Sequence, residues 1–378
     1  METIYTNCNI ITRSEVFLGT VVVEDGLIRT IDNSVFHGTG TIDLAGDMLL
    51  PGLIEMHTDN LEKNIQPRPG VIWPSIMSSA IAHDAQIAGA GITTVYDAVA
   101  VGGLRESSLR DQILTESIDV LCRGNSLGIF RAEHFIHLRC EIGDARMESN
   151  LEQHGSCPKV RLISIMDHTP GQRQWSDLNR WRQYHRDKRW TDEDAASICE
   201  ELVGKQKLYA AKHRKAAVAY AHQRNIPLAS HDDTTVGDAE SAAKEHIRIA
   251  EFPTTLEAAA RAKELGMMTI MGAPNAIRGI SHSGNITAAS LAKDNLLDGL
   301  SSDYVPNSSL HAAFHLAETL GIPLHKTVAM ASASIADMVG LTDRGEMVPG
   351  KIADMLQVRM VGTLPVIRKV WKRGVLVA

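Results

Sequence analysis

The feature that most limits what this chain can fold into is an alternation of short apolar runs with stretches of helical spacing. The runs fall at 49–56, 93–98, 135–141, 160–167, 227–230, 250–252, 268–271 and 297–301. Helical patterns lie between them. The span 257–265 has Thr255 available as a cap and Gly266 as a stop. The longest, 192–224, begins with Thr191 and Asp194 in capping-box-like spacing. Eight strands with helical crossovers predict an α/β fold and fit a (β/α)8 TIM-like barrel. A doubly wound sheet carries the same local signature, so the count alone does not decide. With 378 residues, 44% of them hydrophobic, the chain has room for a barrel and a satellite domain.

The two ends read differently from the middle. Runs 20–23 and 27–31 flank Glu24-Asp25-Gly26, a hairpin signal. Runs 353–358 and 366–371 are strand-like, and Lys372-Arg373-Gly374 forms a turn before 375–377. We expect one small β-sandwich domain assembled from both termini (1–50 plus 345–378) and a barrel over 51–344. The segment 175–190, rich in Arg, Trp and Tyr, is expected as a loop over the barrel mouth.

In such a barrel the working residues sit at the C-terminal ends of strands. Polar residues cluster at those places. Run 49–56 ends in His57-Thr58-Asp59, where residues two apart point the same way. The next ends carry Glu141, then Asp167-His168, then His231-Asp232-Asp233, and finally Ser302-Asp303. Imidazoles and carboxylates together form the ligand set of Zn²⁺ or a similar divalent ion. A lone strand-end histidine is more often a hydrogen-bonded or surface residue, and Asp after Ser-Ser is commonly a helix cap. Five strand ends carrying such groups favour a metal site.

Other classes find little support. A net charge of −7 gives no basic surplus for nucleic acid or an anionic membrane. No apolar stretch is long enough for a membrane span, and no signal peptide is read at the start. The five cysteines are scattered without a CxxC pair, which suits a reducing, cytoplasmic setting. The span from Gly345 to Lys351 satisfies GxxxxGK, but Ile352 stands where a P-loop needs Ser or Thr, and Pro349 removes a backbone donor. Cys140 faces away from Glu141 along its strand and reads as packing.

Two segments carry a family resemblance: the Pro51-Gly52 turn leading to His57, and Val348-Pro349-Gly350-Lys351-Ile352-Ala353-Asp354. Both resemble the entry and return motifs of the amidohydrolase superfamily. Within it, further motifs are similar to one subgroup, the diphosphatases that act on a triphosphorylated ribose phosphonate in phosphonate catabolism. These are His57-Thr58-Asp59-Asn60-Leu61, Gln66-Pro67-Arg68-Pro69, His137-Leu138-Arg139-Cys140-Glu141, Met166-Asp167-His168-Thr169-Pro170-Gly171-Gln172-Arg173, Ser230-His231-Asp232-Asp233, Met271-Gly272-Ala273-Pro274-Asn275, His282-Ser283-Gly284-Asn285 and Ser301-Ser302-Asp303-Tyr304.

The resemblance implies roles. His57, His168 and His231 would be metal ligands, Glu141 would take the bridging-carboxylate place, and Asp303 would orient the attacking water and accept its proton. Most relatives carry His-x-His where this chain has His57 and Asp59, which leaves one or two metals open. The cofactor is expected to be a divalent metal: zinc, with manganese, iron or nickel as alternatives. Counting strands puts His168 and His231 at the fourth and fifth, one earlier than is usual in the superfamily. The expected partner is the small-molecule substrate, with a homodimer as the expected assembly.

A polyphosphate substrate needs cations. Arg68, Arg139, Arg173 and Arg278 are candidates, because guanidinium matches phosphate oxygens bidentately, and His282 adds a donor. The competing reading for each arginine is a surface group or salt-bridge partner. For the whole chain the alternatives are an amidohydrolase or deaminase acting on a small amide or amidine, and a non-enzymatic barrel scaffold.

Overall fold

A computed structural model describes residues 2–68, 70–103, 108–186, 190–280 and 285–378 of the chain. Eight parallel strands, numbered here along the barrel, form its centre: β1 (Leu53–Thr58), β2 (Ile92–Val101), β3 (Glu133–Glu141), β4 (Val160–Met166), β5 (Leu228–His231), β6 (Ile249–Glu251), β7 (Met268–Gly272) and β8 (Gly299–Ser301). They pair in chain order from β1 to β8. A parallel bridge between Thr58 and Asp303 brings the two ends of the sheet together. Both faces of these strands are covered, which is why they read as apolar runs rather than as alternating ones.

Side chains fill the barrel. Ile54, Met56, Tyr96, Phe135, Leu162, Ile249 and Ile270 form one buried cluster with Ile335, Met338 and Val339 of the helix Ala333–Val339. Each such buried side chain contributes about 1.5–3 kcal/mol. The β1–β8 seam is stitched by Glu55. Its carboxylate accepts from His57 N at 2.7 Å and Ser302 N at 2.5 Å, and Ser301 Oγ lies 2.7 Å away. Burial raises the pKa of Glu55 against these donors.

The strands Glu2–Ile11, Val16–Glu24, Leu27–Asp32, Thr41–Asp43 and Met48–Pro51 from the N-terminal end join Met355–Val361, Leu364–Lys372 and Val375–Leu376 in a second, mainly antiparallel sheet. Met48–Pro51 pairs with Met355–Val361, which ties the two termini into one layer. The hairpin turn has Asp25 at φ 51° and Gly26 at φ 80°, the left-handed pair that a two-residue turn requires.

The single run expected over 49–56 is two strands in two sheets. The break is at Gly52, whose amide donates to the Asp354 carbonyl at 2.8 Å. A Cβ there would stand 2.2 Å from Thr93 Oγ1, so the crossing admits only glycine.

The helices that bear on the site are α1 (Asn60–Ile65), α2 (Ile76–Gly89), α3 (Ser108–Leu127), α4 (Met147–His154), α5 (Leu178–Tyr184) and α6 (Asp192–Gln223). The α6 start carries the expected capping box of Thr191 and Asp194. The segment expected as a loop over the mouth contains α5, anchored by Trp175 and Trp181 against Ile198 and Leu202 of α6. Among the described residues no helix is long and apolar enough to cross a membrane.

Outside the barrel, α2, β2 and β3 enclose a charged cluster. His83 Nε2 and His134 Nδ1 lie 2.6 Å and 2.7 Å from the two oxygens of Asp97, and Arg131 Nη1 lies 3.2 Å from Asp84. These separations are those of hydrogen bonds, too short for ligands sharing a metal ion. Burial alone would lower the pKa of His134, but the carboxylates of Asp97 and Asp84 raise it to about 9. A raised histidine stabilises the fold fully below its unfolded value near 6.5 and loses that contribution as pH climbs through about 9. Chemical denaturation is therefore expected to show stability falling between pH 7 and 9.5, and His134→Gln is expected to flatten that slope. An unchanged slope in a folded variant would remove His134 as its source.

Candidate metal centre

At the C-terminal mouth of the barrel lies a cavity of ≈ 790 Å³, lined among others by His57, Asp59, Glu141, His168, His231 and Asp303. The alternation of side chains places them. His57 is on β1, Glu141 and His231 end β3 and β5, and Asp59, His168 and Asp303 follow β1, β4 and β8 within two residues. On β3, His137, Arg139 and Glu141 share the inward face, and Cys140 packs outward in the apolar layer.

The tightest convergence adds a residue that the sequence reading passed over. Asp232 Oδ2 lies 3.6 Å from His168 Nε2 and 3.4 Å from His231 Nε2. These gaps are long for hydrogen bonds. Ligands about 2.1 Å from a common tetrahedral ion stand about 3.4 Å apart, and Asp232 Oδ2 is buried with no hydrogen-bond partner. The donor set therefore fits a divalent metal. Strand alternation would point Asp232 away from His231. Its φ of 57° breaks the alternation, and Asp tolerates that left-handed conformation better than most residues. Burial would raise the Asp232 carboxyl, but His231, His168 and Arg173 lower it.

Carboxylates hold the far sides of the imidazoles. Glu141 Oε2 is 2.7 Å from His168 Nδ1, and its Oε1 accepts from the His168 amide at 3.1 Å. Glu251, fully buried at the end of β6, reaches His57 Nδ1 at 2.7 Å and His231 Nδ1 at 2.6 Å. An ionised carboxylate only accepts, so hydrogen sits on each Nδ1, and in the neutral ring Nε2 is the nitrogen left to present a lone pair to an ion. Burial would raise Glu251, but His57, His137 and His231 hold it well below the usual carboxylate range. Sequence reasoning missed Glu251, although it is an acidic residue at a strand end like the others. Glu141, expected in a bridging place, has both oxygens on His168.

Two more buried atoms await partners. Asp59 Oδ1 has none, and Asp59 makes no side-chain cap to α1 although it occupies the N-cap position. His137 donates Nδ1–H to the Met56 carbonyl at 2.9 Å, leaving Nε2 bare. Burial lowers its pKa to about 3, so it stays neutral. The ring of Phe252 packs edge-on against His57 and His231, with centroids 5.0 Å and 5.4 Å away.

The cations divide into two sets. Arg139 and Arg278 line the cavity, joined by Lys63, which the sequence reading did not single out. Lys63 donates to the Tyr304 carbonyl at 3.0 Å. Arg173 does not line the cavity. Its guanidinium is spent on Asp233 Oδ1 at 2.8 Å and on the His231 carbonyl, bracing the end of β5. Arg68 is exposed, paired by a backbone bridge to Val71 outside the cavity. His282 lies outside the described residues. Trp175, Tyr184 and His185 form an aromatic wall of the cavity.

No protein-family model matches the chain. It is 39% identical over 374 residues to the α-D-ribose 1-methylphosphonate 5-triphosphate diphosphatase of Escherichia coli K12, a match covering 98% of this chain and 99% of that protein. Among solved structures it resembles a Xaa-Pro dipeptidase (TM-score 0.69, 15% identity, covering 100% of this chain and 99% of that one). It also resembles a 5-methylcytosine deaminase from Klebsiella pneumoniae (TM-score 0.67, 12% identity, 100% and 97%). A structure described as an amidohydrolase matches with TM-score 0.64 at 16% identity (100% and 98%).

Proposed function

The chain belongs to the α-D-ribose 1-methylphosphonate 5-triphosphate diphosphatase family, and from that premise we propose that it hydrolyses this triphosphate to the 5-phosphate and pyrophosphate. The observation that carries the reading is 39% identity over an alignment that covers 98% of the chain.

The reaction adds one water across the anhydride between the α- and β-phosphoryl groups. His168, His231 and Asp232 would hold a divalent ion, with His57 and Asp59 on the adjoining wall available for the same ion or a second. A mixed imidazole and carboxylate set suits zinc first. Such an ion supplies Lewis acidity, activating water near neutral pH and drawing charge from the phosphoryl oxygens.

The protein's own groups do the rest. Asp303 takes the proton of the attacking water, since it faces the cavity at the end of β8. Lys63, Arg139 and Arg278 meet the triphosphate and stabilise the departing pyrophosphate. Glu251 and Glu141 keep three imidazoles in one tautomer.

Phosphorus NMR of the metal-loaded protein with the triphosphate tests this. Pyrophosphate and the 5-phosphate should appear together, and chelation should abolish both. Orthophosphate as the sole inorganic product would overturn the diphosphatase.

A further inference from the structure

Away from the mouth, the sulfurs of two half-buried free thiols, Cys122 and Cys157, lie 2.6 Å apart. Cys122 is on α3, its carbonyl accepting from Ser126 Oγ at 2.9 Å. Cys157 is in the turn between α4 and β4. Its amide donates to the His154 carbonyl at 3.2 Å and its carbonyl accepts from Val160 N at 2.9 Å. Backbone hydrogen bonds thus fix both residues with their side chains facing. An ordinary thiol contact in this protein is longer: Cys8 Sγ stands 3.6 Å from the Gly19 carbonyl. The two sulfurs are in direct contact, the placement of side chains that a disulfide requires.

We propose that Cys122 and Cys157 are an oxidative cross-linking site, closing to a disulfide by exchange with a low-molecular-weight disulfide such as oxidised glutathione. Burial and then the neighbouring sulfur push the Cys122 thiol up to about 12. One of the two thiols gives its proton to solvent and attacks as thiolate, the glutathione S–S bond breaks, and one glutathione leaves as a thiolate that takes a solvent proton. The second protein thiol then gives its proton to solvent and attacks the protein sulfur of the mixed disulfide, expelling the second glutathione as a thiolate that takes a solvent proton. Two protein thiols are oxidised by two electrons, and one glutathione disulfide is reduced to two thiols.

The bond would close a loop containing all of β3, with Arg139 and Glu141, and α4. It restricts the unfolded chain more than the folded one, whose geometry already has the sulfurs adjacent.

The test equilibrates the full-length, metal-loaded protein in glutathione buffers of increasing oxidation, then unfolds and alkylates it for intact mass. The reduced chain should take five alkyl groups, one for each cysteine, and the oxidised chain three. Peptide mapping should join the Cys122 and Cys157 peptides. The melting midpoint should rise by about 5 °C and fall back with dithiothreitol. Cys122→Ser and Cys157→Ser should each abolish the cross-link, with the reaction stopping at a glutathione adduct on the remaining thiol. Five alkylations at every buffer ratio, or a cross-link through another cysteine, would overturn the proposal. A stable glutathione adduct on the unmutated protein would do the same.

Discussion

Glu251→Gln is expected to weaken binding of the divalent ion by about 10–100-fold in a protein that still folds. The carboxylate accepts a hydrogen bond from Nδ1 of His57 at 2.7 Å and from Nδ1 of His231 at 2.6 Å, one on each oxygen. A carboxamide has one oxygen to accept and one NH2 that can only donate. Whichever way it is placed, one imidazole meets a donor where it needs an acceptor. That ring must then move its hydrogen to Nε2, which removes the lone pair facing the cavity, or leave a buried donor unpaired at about 1–3 kcal/mol. The volume hardly changes, so packing against Phe252 is preserved. Competition titration with a chromophoric chelator reads the loss directly. Unchanged affinity in a variant with unchanged melting would show that Glu251 does not set the tautomers.

The barrel was legible because its signal is local and repeated. Most strands are short apolar runs, several of them ended by a polar group, and crossover helices carry caps such as Thr255 and Thr191, which accept from the amides of Ala258 and Asp194 as their sequences suggest. The count that placed His168 and His231 at the fourth and fifth strands agrees with the structure. The split at Gly52 was not legible, since the apolar run continues unbroken across it. What divides it is Thr93, distant in the chain, pressing on the crossing point.

The site was less legible than the fold, for two physical reasons. Period-two reasoning assumes extended backbone, and it hides a residue such as Asp232, whose φ of 57° turns it to the face of its neighbour. A charge on an arginine also does not say where it is spent. Arg173 lies five residues after His168 and reads as a phosphate-binding group, yet its guanidinium donates to Asp233 at 2.8 Å. Lys63, one turn into α1, faces the cavity because Asp59 starts that helix at the mouth. A period of 3.6 counted from Asp59 was the signal that could have found it.

Asp303→Asn is expected to lower kcat by about 10²–10⁴-fold with little change in KM or in metal content. Asparagine is the informative replacement because Asp303 sits at φ 53°, a conformation asparagine adopts readily and alanine resists. The seam is made by the backbone, with Thr58 Oγ1 donating to the Asp303 carbonyl at 2.6 Å, so the substitution leaves that contact in place. What changes is one oxygen becoming an NH2, which cannot take a proton from water. The proposed substrate-binding cations Lys63, Arg139 and Arg278 line the cavity and are not touched by the change, and so KM should hold. A drop in bound metal parallel to kcat would instead make Asp303 a ligand first and a base second. Full retention of kcat would exclude Asp303 as the base, and other carboxylates on the cavity wall, such as Asp59 and Asp232, would have to be tested in its place.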